Sequence, residues 1–135
     1  MVNQPVQRKP KYFFAVFGDP SSGKPKAEAG YYPHEGYISS LNMEPGDVIL
    51  LYCTSQYSEH PMESPGIGIV TRTTNDYISY QYFPLDKPVG FDTIKENLKN
   101  YENRLKVLWS KGNWLFEIAS TSFRSVLKGR QIDWP

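Results

Sequence analysis

The run Gly66-Ile67-Gly68-Ile69-Val70-Thr71 constrains this chain more than any other stretch. Isoleucines at alternate positions ask for a strand, and the glycines between them leave that strand's other face without side chains. Some other group must therefore lie directly against its backbone. Comparable segments stand on either side. Val48 to Thr54 is β-branched and leucine-rich, ends in polar Ser55-Gln56, and reads as a central strand. Lys11 to Phe17 is an aromatic run that reads as a strand buried on both faces, and Tyr77 to Phe83 carries Ile78, Tyr80 and Tyr82 on one face. Asn113 to Ala119 completes the set, with Leu115 alternating with Glu117.

Between these runs stand turn signals. Glu44-Pro45-Gly46-Asp47, Asn75-Asp76 and Ser110-Lys111-Gly112 each predict a reversal, and short turns between sequential strands predict antiparallel pairing. Asp92 is placed to cap a helix from Thr93 to about Asn103, whose stripe is Ile94, Leu98, Tyr101 and Leu105. Ser120 is placed to cap a second through Lys128, with Phe123, Val126 and Leu127 inward and Gly129 at the stop. A short helix over Glu35 to Leu41 is a weaker expectation. Residues 24–36 otherwise lack an apolar period, and Ser55 to Pro65 forms a second long connection. Residues 1–10 read as a flexible arm and 11–135 as a single domain. The expected class is α+β, dominated by β structure: a partly open barrel of about five to six strands with flanking helices.

Charge and composition exclude several functions. Fifteen basic against fourteen acidic residues leave +1, so no global field draws the chain to a polyanion, and nucleic-acid binding would have to be local. One cysteine and two histidines give no disulfide framework and no zinc set, so no cofactor is expected and a reducing, cytoplasmic setting fits best. No run reaches the ~18 apolar residues of a membrane span. The unusual quantity is the aromatic content, with ten Tyr, seven Phe and three Trp. Tyrosine combines a flat face with a polar tip, which suits a partly wet cleft as well as strands.

Gly18-Asp19-Pro20-Ser21-Ser22-Gly23-Lys24 has the spacing of a phosphate-binding loop and follows a strand. Position 25 is proline, however, so the magnesium-binding hydroxyl is missing, and Pro20 removes a backbone donor. No βαβ context is expected either. Cys53 falls inside a buried strand, where a thiol is inert. His34 and His60 stand beside Glu35 and Glu59 without a nucleophile at a recognisable elbow. The sequence thus favours a protein that is not an enzyme.

Four segments together resemble the EVE domain, of the superfamily that also holds PUA and YTH domains. They are Gly46-Asp47-Val48-Ile49-Leu50-Leu51-Tyr52, Pro65 to Val70, Phe83-Pro84-Leu85-Asp86-Lys87-Pro88-Val89 with the helix after it, and Asn113 to Phe123. The opening strand is also similar, but Phe17-Gly18-Asp19-Pro20 keeps only the proline of the family's turn, and Ala29 to Leu41 lacks its tryptophans. The resemblance implies a PUA-like barrel with no catalytic centre, whose cleft accepts a modified nucleobase or nucleotide in RNA or DNA.

Such a reader needs aromatic faces to stack on and amides or hydroxyls to read a base edge. Tyr52, Thr54, Gln56 and Tyr57 leave the central strand in that mixture, and Trp109, Asn113 and Trp114 flank a glycine turn. Trp109, Tyr57 or Trp114 would stack, Asn113, Gln56 and Thr54 would read edges, and Asp19 would meet an exocyclic amine. Lys24, Lys26, Arg124 and Arg130 are the candidate phosphate contacts. Two other readings remain open: an amidohydrolase-type enzyme on the same barrel, using Lys24, Glu59 or His60, and a scaffold that docks another protein.

Overall fold

The computed structural model describes residues 9–18, 25–33, 42–55, 57, 59–74, 76–101 and 115–132. Its strands are β1 (Tyr12–Phe17), β2 (Tyr31–Pro33), β3 (Val48–Cys53), β4 (Glu63–Thr73), β5 (Tyr77–Gly90) and β6 (Leu115–Ile118). The helices are α1 (Phe91–Asn97) and α2 (Ser120–Val126), and short 3-10 turns lie at Ala27–Ala29, before β2, and at Lys99–Tyr101, after α1. All six strands form one sheet in the order β2-β5-β4-β3-β1-β6, curled into a half-barrel, so the expected β-dominated α+β architecture is present. No helix among the described residues is long and apolar enough to cross a membrane.

Strand alternation divides the core into two layers. On the helix face Phe14, Val16, Val48, Leu50 and Tyr52 meet Ile94 and Leu98 from α1 and its following turn, and Phe123 and Val126 of α2. On the opposite face Phe13, Ala15, Phe17, Ile49, Leu51 and Cys53 meet Ala27, Met43 and Tyr57 from connecting segments. With β1 and β3 covered on both sides, their sequences are continuous apolar runs rather than alternating ones.

Backbone groups at the strand starts are anchored by Asp47, which is buried. Its carboxylate accepts the amides of Lys11 (3.0 Å) and Glu44 (2.9 Å), closing the turn before β3 where Gly46 takes φ +96°. The glycines of β4 lie under two tyrosines of β5. A Cβ on Gly68 would fall 2.5 Å from Cδ2 of Tyr80, and one on Gly66 would fall 2.8 Å from Cε1 of Tyr82 and 2.5 Å from the carbonyl oxygen of Phe83. Those rings are the groups that the side-chain-free face of the strand required.

Several expectations are corrected. The helix near residue 93 starts at Phe91 and ends at Asn97, because Gly90 in extended backbone passes β5 directly into it; Gly90, not Asp92, is its N-cap. Ile94, Leu98 and Tyr101 still face inward, since a 3-10 turn continues the stripe, while Leu105 lies outside the described residues. Ala119 occupies the N-cap of α2 in place of Ser120. β5 runs well past Phe83, and register shifts between Ser64 and Gly66 and between Val70 and Arg72 bend the β4/β5 ribbon into the curl. β1 pairs with β3 in parallel, Val16 opposite Tyr52, so sequential antiparallel pairing does not describe the whole sheet. β2, in a stretch without apolar period, forms one edge of the sheet by pairing with β5. The expected helix over Glu35 to Leu41 falls outside the described residues.

Candidate functional site

Five element ends meet at one end of the sheet. Phe17 closes β1 opposite Cys53, Cys53 pairs with Glu63, Glu63 pairs with Gly90 at the entry to α1, and Leu115 opens β6 opposite Ala15. This is also the carboxyl end of the parallel pair β1/β3, where two neighbouring strands release their chains into loops.

The connection from β3 to β4 is held by its backbone. The carbonyl of Thr54 accepts the amides of Tyr57 (3.0 Å) and Met62 (3.3 Å), and the amide of Thr54 donates to Phe17 (3.0 Å). The carbonyl of Met62 in turn accepts the amide of Phe91 (2.9 Å), tying the loop to the first residue of α1. Met62 adopts φ +56°, a left-handed conformation uncommon outside glycine, and its side chain is exposed.

Tyrosine hydroxyls fasten the 3-10 turn at Ala27–Ala29 against this loop. The Tyr57 hydroxyl accepts the Ala27 amide at 3.1 Å and donates to the Glu28 carboxylate at 3.3 Å, while the Tyr80 hydroxyl donates to the Ala27 carbonyl. Both backbone polar groups of a fully buried alanine are thereby satisfied by side chains. On the surface above them Lys26 and Glu59 form an ion pair at 2.5 Å. Their hydrogen bond holds the Lys26 amine above its usual range and the Glu59 carboxyl below. His60 lies beside the Tyr57 ring, with centroids 6.0 Å apart.

Of the residues singled out from sequence, Tyr57 is wholly buried, so its ring is part of the interior and not a stacking wall at the rim. Tyr52 is buried too, but on the helix face, so strand alternation puts the sheet between it and Tyr57. Thr54 is partly buried and acts through its backbone. Lys26 is already partnered by Glu59. Arg130 donates from Nε to the Lys87 carbonyl (3.0 Å) and from a terminal nitrogen to that of Pro88 (3.2 Å), bracing the last part of β5, while Arg124 is exposed on α2. Asp19, Lys24, Gln56, Trp109, Asn113 and Trp114 lie outside the described residues; of the described residues that adjoin them in the chain, Gly18, Ser55, Tyr57 and Leu115 stand at this end of the sheet.

Sequence reasoning missed Glu28, Met62 and Phe91. Glu28 sits in a stretch without periodicity, and nothing in a sequence marks a methionine for positive φ. Phe91 could have been found as the apolar residue directly after Gly90, where the chain turns from strand to helix.

Tyr52 differs from the other tyrosines. Its ring stacks on Phe14 (5.7 Å, 22° between planes) and meets Phe91 at 5.8 Å. Its hydroxyl is the one buried side-chain polar atom among the described residues that has no hydrogen-bond partner. Cys53, next to it, is buried, and burial pushes its thiol up, away from the thiolate form that a nucleophile requires. No group of three or more His, Cys, Asp and Glu side chains able to hold a metal occurs among the described residues.

No protein-family model matches this chain, and no curated protein does. Several solved structures resemble it, two of which show the extent of the likeness. Rpa0253 from Rhodopseudomonas palustris, determined by NMR, superposes with a TM-score of 0.60 at 15% identity, over 87% of this chain and 91% of that one. Atu2648 from Agrobacterium tumefaciens, a crystal structure, gives 0.55 at 15% identity, over 86% and 90%. Both are structural genomics targets, and at this identity the similarity is one of fold.

Proposed function

We propose that this chain is a non-enzymatic binding module of EVE type, in the PUA-like superfamily, that recognises a modified nucleobase or nucleotide in RNA or DNA. The observation that carries the reading is the convergence of β1, β3, β4, β5 and β6 at one sheet end, where the segments bearing the aromatic and amide residues are attached. A base is a flat ring with a polar edge, and stacking it on one aromatic side chain is worth roughly 1–3 kcal/mol. Trp109 and Trp114 are the stacking candidates, with Asn113, Gln56, Thr54 and Asp19 as edge readers. The buried Tyr57 supports the site from beneath by holding Ala27 and Glu28. Lys24 and Arg124 are the phosphate contacts that this reading retains, since Lys26 and Arg130 are engaged within the protein. So few cations imply weak, salt-sensitive binding to unmodified nucleic acid. A single buried thiol suits a reducing, cytoplasmic setting.

The enzyme reading has less support. Glu59, which would have to act as an acid or base, is bound to Lys26, and the Cys53 thiol is held protonated by burial.

Titration with short oligonucleotides carrying methylated or unmodified bases, followed by tryptophan fluorescence, tests the proposal. The expected result is a saturable change that favours one base and weakens in a Trp109→Ala variant. Absence of any saturable change, together with unaltered behaviour of Trp109→Ala, overturns it.

A further inference from the structure

We infer that the hydroxyl of Tyr52 is a recognition group for the base, donating its hydrogen bond to a neutral acceptor, either a carbonyl oxygen or an unprotonated ring nitrogen. The inference rests on the base-reading function proposed above and assigns one contact within it. Tyr52 is 2% exposed, and its hydroxyl has no partner among the described residues, whereas the hydroxyls of Tyr32, Tyr57 and Tyr80 all reach one: Val16, Ala27 with Glu28, and Ala27. An O–H withdrawn from water without a partner opposes folding, and phenylalanine would fill the same space without that cost. The two rings that meet Tyr52, Phe14 and Phe91, are already phenylalanines. The hydroxyl therefore brings nothing to the packing, and a hydrogen bond that exists only in a complex accounts for it.

The surroundings define the partner. Burial pushes the phenol up to about 12, so it remains a protonated donor at neutral pH. The rings of Phe14 and Phe91 offer no countercharge, so an anion brought there would lose its hydration uncompensated. Phosphate is thereby excluded, and the contact falls on the base edge. Phe91, whose ring meets that of Tyr52, is only partly buried and begins α1 at the end of the sheet where the loops converge, so a base would reach the hydroxyl by displacing this one ring.

The test compares wild type with Tyr52→Phe in two measurements. One is thermal unfolding without ligand. The other is titration, by tryptophan fluorescence, with single-stranded oligonucleotides whose central position carries an unmodified base, a methylated base or no base. Tyr52→Phe is expected to melt higher than wild type, to bind its preferred base-bearing oligonucleotide about tenfold more weakly, and to bind the abasic one unchanged. A lower melting temperature would mean that the hydroxyl already has a structural partner, and would overturn the inference. So would unchanged affinity for the base-bearing oligonucleotide, or an equal loss with the abasic one. If wild type binds none of the probes, the base-reading function itself fails and the inference falls with it.

Discussion

Tyr80 illustrates how much one side chain can hold in a fold of this size. Its ring fills the space over Gly68, its hydroxyl takes the Ala27 carbonyl, and its amide donates to Gly30 at 2.8 Å. The neighbouring glycine has a different reason for being there. At Gly66 the carbonyl oxygen of Phe83 stands 2.5 Å from where a Cβ would be, and backbone cannot swing aside as a side chain can. Gly66→Ala is therefore expected to destabilise the protein by about 1–3 kcal/mol, as overpacking does, and Gly68→Ala by a similar amount, because the clash there falls on Cδ2 and Cγ of a Tyr80 ring pinned through its hydroxyl. Urea unfolding of both variants measures the two losses. The alternating glycines announced that something covers this strand, but not what, because the covering rings belong to β5. Tyr57 shows the opposite limit. Its place in a polar loop suggested an exposed ring, and only a partner thirty residues earlier, the Ala27 amide, explains why it is buried.

Among the elements, the 3-10 turn at Ala27–Ala29 and the strand β2 after it were invisible in sequence. Three residues each are too short to display a period, and both are held by contacts from elsewhere: the turn by tyrosine hydroxyls, β2 by pairing with β5. Removing one latch should loosen this segment selectively. In Tyr57→Phe the Ala27 amide loses its acceptor, and hydrogen exchange is expected to accelerate at Ala27 and its neighbours, while β1 and β3 keep their protection. Uniform acceleration through the sheet would show instead that the latch is part of the global fold. Longer elements were more legible. β3 appears where its apolar run placed it, and Phe123 and Val126 face inward on α2. The boundaries of α1 shifted because the chain passes from β5 into the helix through Gly90 without an intervening loop.

At the scale of the molecule, the two layers of buried aromatics leave a signature in pH dependence. Burial raises the phenols of Tyr52 and Tyr82 to about 12 and pushes those of Tyr57 and Tyr80 up as well. In the unfolded chain all four would ionise near the ordinary tyrosine value of 10.0. Their contribution to stability is fully present below pH 10 and is lost as pH rises through the folded values, since only the unfolded chain can release these protons. Stability from urea unfolding is expected to fall steeply above about pH 10, with the tyrosinate absorbance of the buried set appearing only as the protein unfolds. Ionisation of all ten tyrosines in still-folded protein would contradict this. What the sequence determined by itself was local: where five of the six strands lie, that β1 is covered on both faces, and that Gly66 and Gly68 lie beneath other groups. A strand's period and a turn's glycine are written within a few consecutive residues. The parallel pairing of β1 with β3, the separation of Tyr52 from Tyr57 by the sheet, and the unpartnered Tyr52 hydroxyl were decided by the tertiary structure. Each depends on which distant segment comes to lie alongside, and that choice is made by the burial of both layers at once.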